Sequence, residues 1–243
     1  MKTFALIMFS AALLVSPAHG GDFDEGIRLY AARDYAAAAV AFARAAAQGH
    51  AKAQYNLAAM YANGQGVAQD FKEAQRLYER SAKQGDTRAQ FNLGSLSVQR
   101  WVGGNDEERA FLWFHKAAEA GDPSAQFNVA AMYARGRGVK QDLDRAFLWY
   151  SKAAATGDAL AQFNVGAMYY QGEGVMQSFD LARQWYERAA AQGNTLAQLS
   201  LGMLYHKGLG VPQDVEQAGR WYEKAAAKGN TLAQAYLAAL RTP

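Results

Sequence analysis

The sequence predicts an all-α fold, an α/α superhelix (solenoid) of repeated antiparallel helix pairs, and three observations carry that expectation. An Ala-Gln pair recurs every 36 residues, its glutamine falling at Gln54, Gln90, Gln126, Gln162, Gln198 and Gln234. A glycine keeps the same step at Gly49, Gly85, Gly121, Gly157, Gly193 and Gly229. Between these markers apolar residues return at helical spacing, and a fixed period of this length marks units that stack on one another.

Residues 1–20 stand outside the repeats. Lys2 is the only early charge, residues 4–15 are an apolar run, and small residues follow at Ser16-Pro17-Ala18 and Ala18-His19-Gly20. This is the pattern of a Sec-type signal peptide cleaved after Ala18 or after Gly20. An uncleaved anchor is the alternative, but the run is short for a bilayer, and no later segment is apolar for long enough. The expected location is therefore periplasmic or secreted, with no membrane span after cleavage. The chain has no cysteine, so neither a lipidated cysteine nor a disulfide can form.

Residues 21–49 read as a shorter helix pair that caps the array. Gly26, Leu29 and Tyr30 fall on its first helix and Ala38, Phe42, Ala45 and Ala46 on its second, joined directly through Arg33-Asp34-Tyr35. Five full repeats occupy 50–229, and a last helix over 230–243 closes the array.

Within one repeat, Ala161, Val165, Met168 and Tyr169 give the first helix an apolar stripe. Gly172-x-Gly174-Val175 then breaks it. Asp70, Asp106, Asp142, Ser178 and Asp214 are in-phase N-caps for the second helix. Glu73 and Gln217 are expected to complete capping boxes. Ala74, Ala110, Ala146, Ala182 and Ala218 let the helices of a pair approach closely, and the closing glycine ends the unit. Trp113, Trp149, Trp185 and Trp221, with Leu77 leading the column, are expected in the core between units, and the glutamine column as a hydrogen-bonding ladder. The second full repeat departs from the pattern: Ser97 replaces the tyrosine, and its loop reads Arg100-Trp101-Val102-Gly103-Gly104-Asn105. Trp101 is either an exposed anchor for a partner or a filler of the space the tyrosine ring would take.

These motifs (A-x-AQ-x-x-L/V-G/A-x-M-Y, G-x-GV, D-x-x-x-A and WY-x-K/R-AA before a closing glycine) resemble the Sel-1-like repeat (SLR) family, a relative of the tetratricopeptide repeat. Residues 21–49 then resemble a tetratricopeptide-type (TPR-like) cap. The resemblance implies a scaffold or adaptor that binds a protein or peptide through the concave face of its superhelix. Exported bacterial members serve envelope, signalling or host-contact processes. Two alternatives stay open: hydrolysis of β-lactam or cell-wall substrates, described for cysteine-rich relatives, and glycan or peptidoglycan binding without chemistry.

Catalysis finds no support in the residues. There is no S-x-x-K, and His19, His50, His115 and His206 keep no spacing that would hold a metal. Gly136-x-Gly138 and its copies follow no strand and precede no G-K-S/T, so they read as turns rather than phosphate loops. No enzyme activity, no metal and no cofactor are expected. The net charge is +3 with Lys and Arg scattered among acids, so no nucleic acid is expected either.

The resemblance puts the first helix of each pair on the concave side. Tyr55, Phe91, Phe127 and Phe163 then form an aromatic column, lining the groove or buried between units. Small residues follow at Ala59, Ser95, Ala131 and Ala167, and Lys52, Arg88, Arg135, Tyr170 and His206 edge the same face. An aromatic floor with cations suits a peptide of acidic character. Asn56, Asn92, Asn128 and Asn164 are out of register for a carboxylate clamp. On the last helix, Tyr236, Leu237 and Leu240 leave self-association open as a second expectation.

Overall fold

The computed structural model describes residues 21–98 and 106–241, and all secondary structure in them is helical. Residues 1–20, which the sequence reading takes as a signal peptide, and Trp101 lie outside the described residues. The fold is an α/α solenoid of helix pairs, and the chain divides within its fourth helix into two compact units, one ending at Leu77 and the other beginning at Tyr78.

The first unit holds α1 (Gly21–Ala31), α2 (Tyr35–Ala47), α3 (Ala51–Asn63) and the start of α4 (Phe71–Lys83). Asp34 caps α2 by accepting from the Ala37 amide. Phe42 lies against Gly26, where a Cβ would meet its ring at 2.5 Å. The side chain of Arg44 ties the pair together by reaching Asp22 and Glu25 on α1.

The second unit continues with α5 (Thr87–Val98), α6 (Glu107–Glu119), α7 (Pro123–Arg135), α8 (Leu143–Ala155), α9 (Ala159–Gln171), α10 (Phe179–Ala191), α11 (Thr195–Lys207), α12 (Val215–Ala227) and α13 (Thr231–Arg241). Consecutive helices from α5 to α13 pack on one another. The alanines of the second helices, Ala110, Ala146, Ala182 and Ala218, are fully buried, so the backbones meet where the sequence places small residues. Opposite them, Gly94, Gly166 and Gly202 seat the rings of Phe114, Tyr186 and Tyr222.

The turns follow the glycine pattern. Gly136, Gly172 and Gly208 end α7, α9 and α11 in the left-handed conformation. Two residues on, Gly138 and Gly174 also have positive φ, and a Cβ on either would stand 2.1 Å from a carbonyl of the preceding pair, Glu107 and Leu143 respectively. Only glycine meets both demands. Gln141, Gln177 and Gln213 then donate to the carbonyls of Ala134, Tyr170 and His206, closing the ends of the first helices.

The N-caps are as expected: Asp106, Asp142, Ser178 and Asp214 each accept from the amide three residues on. The capping boxes are not formed. Glu73 is drawn to Arg76, and the amides of Asp70 and Asp214 donate to the carbonyls of Tyr61 and Tyr205. The first helix of the pair takes the donor that the box would have used.

The glutamine ladder is present. Gln54, Gln90, Gln126, Gln162, Gln198 and Gln234 each donate to the carbonyl eight residues earlier, at the end of the preceding second helix. The tryptophan column requires a correction. Leu77 and Trp149 are buried, whereas Trp113, Trp185 and Trp221 are half-buried. The core instead takes the next residue, Tyr78, Phe114, Tyr150, Tyr186 or Tyr222. Trp113, Trp185 and Trp221 stay partly open to solvent, and a cation three residues on lies over each of the four rings.

Candidate interaction surface

In the second unit the first helices of successive pairs frame a cavity of about 770 Å³. α5 contributes Phe91, Ser95 and Val98, α7 contributes Phe127, Asn128, Ala131 and Arg135, and α9 contributes Leu160, Phe163 and Asn164. Four of the residues expected on this face from the sequence, Phe91, Phe127, Phe163 and Arg135, thus come together, with Ser95 and Ala131 as the small residues between them.

The aromatic column is both floor and packing. Phe91, Phe127 and Phe163 are half-buried. One side of each ring meets the aromatic of its own second helix: Phe114 at 5.4 Å, Tyr150 at 5.4 Å and Tyr186 at 5.7 Å between centroids. These contacts fix the rings in place, so a ligand meets a preorganised apolar surface.

The charge of the cavity is one-sided. Arg135 and Arg137 line it, and no carboxylate does. Arg137 is held by Glu107 at 2.6 Å. Arg135 is exposed, forms no ion pair among the described residues, and lies near the Tyr150 hydroxyl. Burial pushes that hydroxyl above the ordinary tyrosine range, with Arg135 opposing the shift. Asn128 and Asn164 donate their amides to the carbonyls of Ser124 and Leu160, which leaves their Oδ1 atoms as acceptors.

The remaining residues of the expected set lie elsewhere. In the first unit, Tyr55 lines a smaller cavity of about 320 Å³ with Ile27, Tyr30, Asn56 and Ala59. Lys52 is exposed on α3, outside that lining. Arg88 pairs with Asp86, and Tyr170 packs edge-on against Phe179 at 5.4 Å. His206 faces the Tyr222 hydroxyl at 3.4 Å and the Tyr236 ring, beyond the larger cavity. Sequence reasoning passed over Leu160 and Leu196, which line the larger cavity. Both fall in the column of Lys52 and Arg88, and the change from cation to leucine is a signal in the repeat alignment. Among the described residues no cluster of three or more histidines and carboxylates is arranged to hold a metal, and no helix is long and apolar enough to cross a membrane.

A family model described as Sel1 repeat matches the chain five times, at residues 51–86, 87–122, 123–158, 159–194 and 195–230. Among solved structures, the chain is similar to a protective antigen present in uropathogenic Escherichia coli strains that displays an SLR fold. The two are 35% identical with a TM-score of 0.84, over 90% of this chain and 48% of that one, so this chain spans about half of its length. It is also similar to a Sel1 repeat protein from Oxalobacter formigenes, 33% identical with a TM-score of 0.77, over 89% of this chain and 86% of that one. No curated protein matches the chain.

Proposed function

We propose, for a chain that belongs to the Sel1 repeat family, the role of an exported scaffold that binds an acidic segment of a protein partner in the cavity of its second unit and thereby assembles or regulates that partner. The observation that carries this reading is the lining itself. Three fixed aromatic rings form the floor, small side chains leave room above it, and Arg135 offers a cation that no carboxylate of the described residues neutralises. Apolar contact supplies affinity, while Arg135 and the Oδ1 atoms of Asn128 and Asn164 select a segment carrying negative charge and free N–H groups.

Export rests on Lys2, the apolar run over 4–15 and the small residues after it. A relative described as a protective antigen is in keeping with it. The adaptor reading is the family's general one, and nothing in the lining favours a hydrolytic alternative.

The test is affinity capture from the periplasmic fraction with the wild-type chain and with a Phe127→Ala, Phe163→Ala double variant, each checked for folding by circular dichroism. A partner held by the wild type and lost by a folded double variant supports the reading. Equal capture by both removes this cavity from consideration.

A further inference from the structure

We propose that the face of α6, α8, α10 and α12 carrying the four tryptophans docks on an anionic lipid surface, through a row of ring-seated cations and two protruding leucines. This surface is separate from the cavity proposed above and stands on different residues.

The cations come first. Lys116 Nζ lies 4.6 Å from the centre of the Trp113 ring, Lys152 Nζ 3.9 Å from Trp149, the Arg188 guanidinium 4.4 Å from Trp185, and Lys224 Nζ 4.0 Å from Trp221. None of the four forms an ion pair among the described residues. The other arginines of these helices do: Arg109 with Glu79, Arg145 with Asp142, Arg183 with Asp180 and Glu187, Arg220 with Glu216. Glu119, three residues beyond Lys116, faces His115 instead. Each of the four is therefore a cation outside any ion pair, restrained by the ring beneath it.

The leucines are particular to two of the repeats. The position held by Arg76, Gln184 and Arg220 in other repeats is Leu112 on α6 and Leu148 on α8, 61% and 51% exposed. Each precedes its lysine by four residues, so leucine and cation share one helix face. Neither lines a cavity described above; both project.

That shape and charge select the occupant. A second copy docking by the same face would set like charges against each other. An amphipathic helix needs a groove to receive its apolar side. A lipid interface takes projecting apolar groups one at a time, concentrates cations near anionic headgroups, and accommodates tryptophan at its edge.

The experiment uses the chain from Gly21 onward and phosphatidylcholine vesicles with and without phosphatidylglycerol. The expected result is co-sedimentation with the anionic vesicles only, a blue shift of tryptophan emission, and loss of binding in high salt. Changing Lys116, Lys152, Arg188 or Lys224 to Gln should weaken vesicle affinity about fivefold per cation. Leu112→Gln with Leu148→Gln, which installs the residue found at Gln184, should weaken it about tenfold or more while the thermal melt stays in place. Absence of binding to anionic vesicles overturns the proposal, as does equal binding by the double leucine variant. A dimer, or an acidic protein partner, that this variant loses while vesicles are ignored by the wild type reassigns the face to a protein interface.

Discussion

Thr156→Gln is predicted to stabilise the protein, and the structure supplies the reason one repeat further on. There, Gln192 Nε2 donates to the Gly157 carbonyl and to Gln162 Oε1, both at 2.9 Å. Gln162 thus has both ends of its buried amide satisfied, since its own Nε2 donates to Ala154. Thirty-six residues earlier the same position is Thr156, whose hydroxyl turns back to the Ala153 carbonyl at 2.7 Å. Gln126 Oε1 is consequently buried without a partner. A glutamine at 156 extends to Gln126 Oε1 and to the Gly121 carbonyl. Two hydrogen bonds contribute roughly 1 kcal/mol each, and satisfying a buried acceptor adds to that. Ordering the longer side chain opposes with about 1–2 kcal/mol, and the Thr156 hydroxyl bond is lost. The net expectation is about 1 kcal/mol of stabilisation, or roughly 2–4 °C in Tm for a chain of this size. Differential scanning calorimetry of the wild type, Thr156→Gln and Gln192→Ala measures it. The first variant should melt higher than wild type and the last lower. A Thr156→Gln protein that melts at or below the wild-type temperature refutes the reasoning.

Three further outcomes follow from the packing. Trp149→Ala should cost about 3–5 kcal/mol, and Trp113→Ala distinctly less because its ring is only half-buried; chemical denaturation of the two variants ranks them. Gly157→Ala should cost about 1–2 kcal/mol from its φ of +98° alone, whereas Gly174→Ala, with a carbonyl 2.1 Å from the new Cβ, should cost ~3 kcal/mol or more; calorimetry separates them. Burial raises the Tyr222 hydroxyl from 10.0 to about 12. The unfolded chain therefore loses this proton first, so the contribution is intact below pH 10 and is lost as pH rises toward 12. Tyr222→Phe should flatten the fall in stability across that window, read by denaturant titration at successive pH values.

The repeat architecture was legible because one residue type recurs at each structural position. Glycine at 172 and 174 was read as a break where the chain turns, and the chain does turn there; the left-handed cap at Gly172 and the close approach at Gly174 are what the structure adds. The glutamine ladder was legible for the same reason: a buried polar column must find a regular partner, and the helix end eight residues earlier supplies it. The capping boxes failed because a local pattern, Asp70 with Glu73, competes with a carbonyl from the preceding helix, whose position no local pattern encodes. The tryptophans were assigned to the core because they recur in every unit beside alanine, yet at three of the four the core takes the next aromatic and the indole is half-buried, while Trp149 is buried together with Tyr150. The aromatic column of the cavity was left between groove and core, and both halves of that alternative hold, since each ring packs on one side and is open on the other. Arg88, Tyr170 and His206 were put at the cavity by register alone; Asp86, Phe179 and Tyr222 hold them elsewhere.

Site-specific photo-crosslinking in living cells tests the central claim most directly. A p-benzoylphenylalanine in place of Phe127 on the cavity floor is compared with the same group in place of Gln184 on the second-helix face. A discrete protein adduct from position 127, absent from position 184 and lost when Arg135→Glu is added, is the predicted result. An adduct from position 184 with none from position 127 would contradict the account.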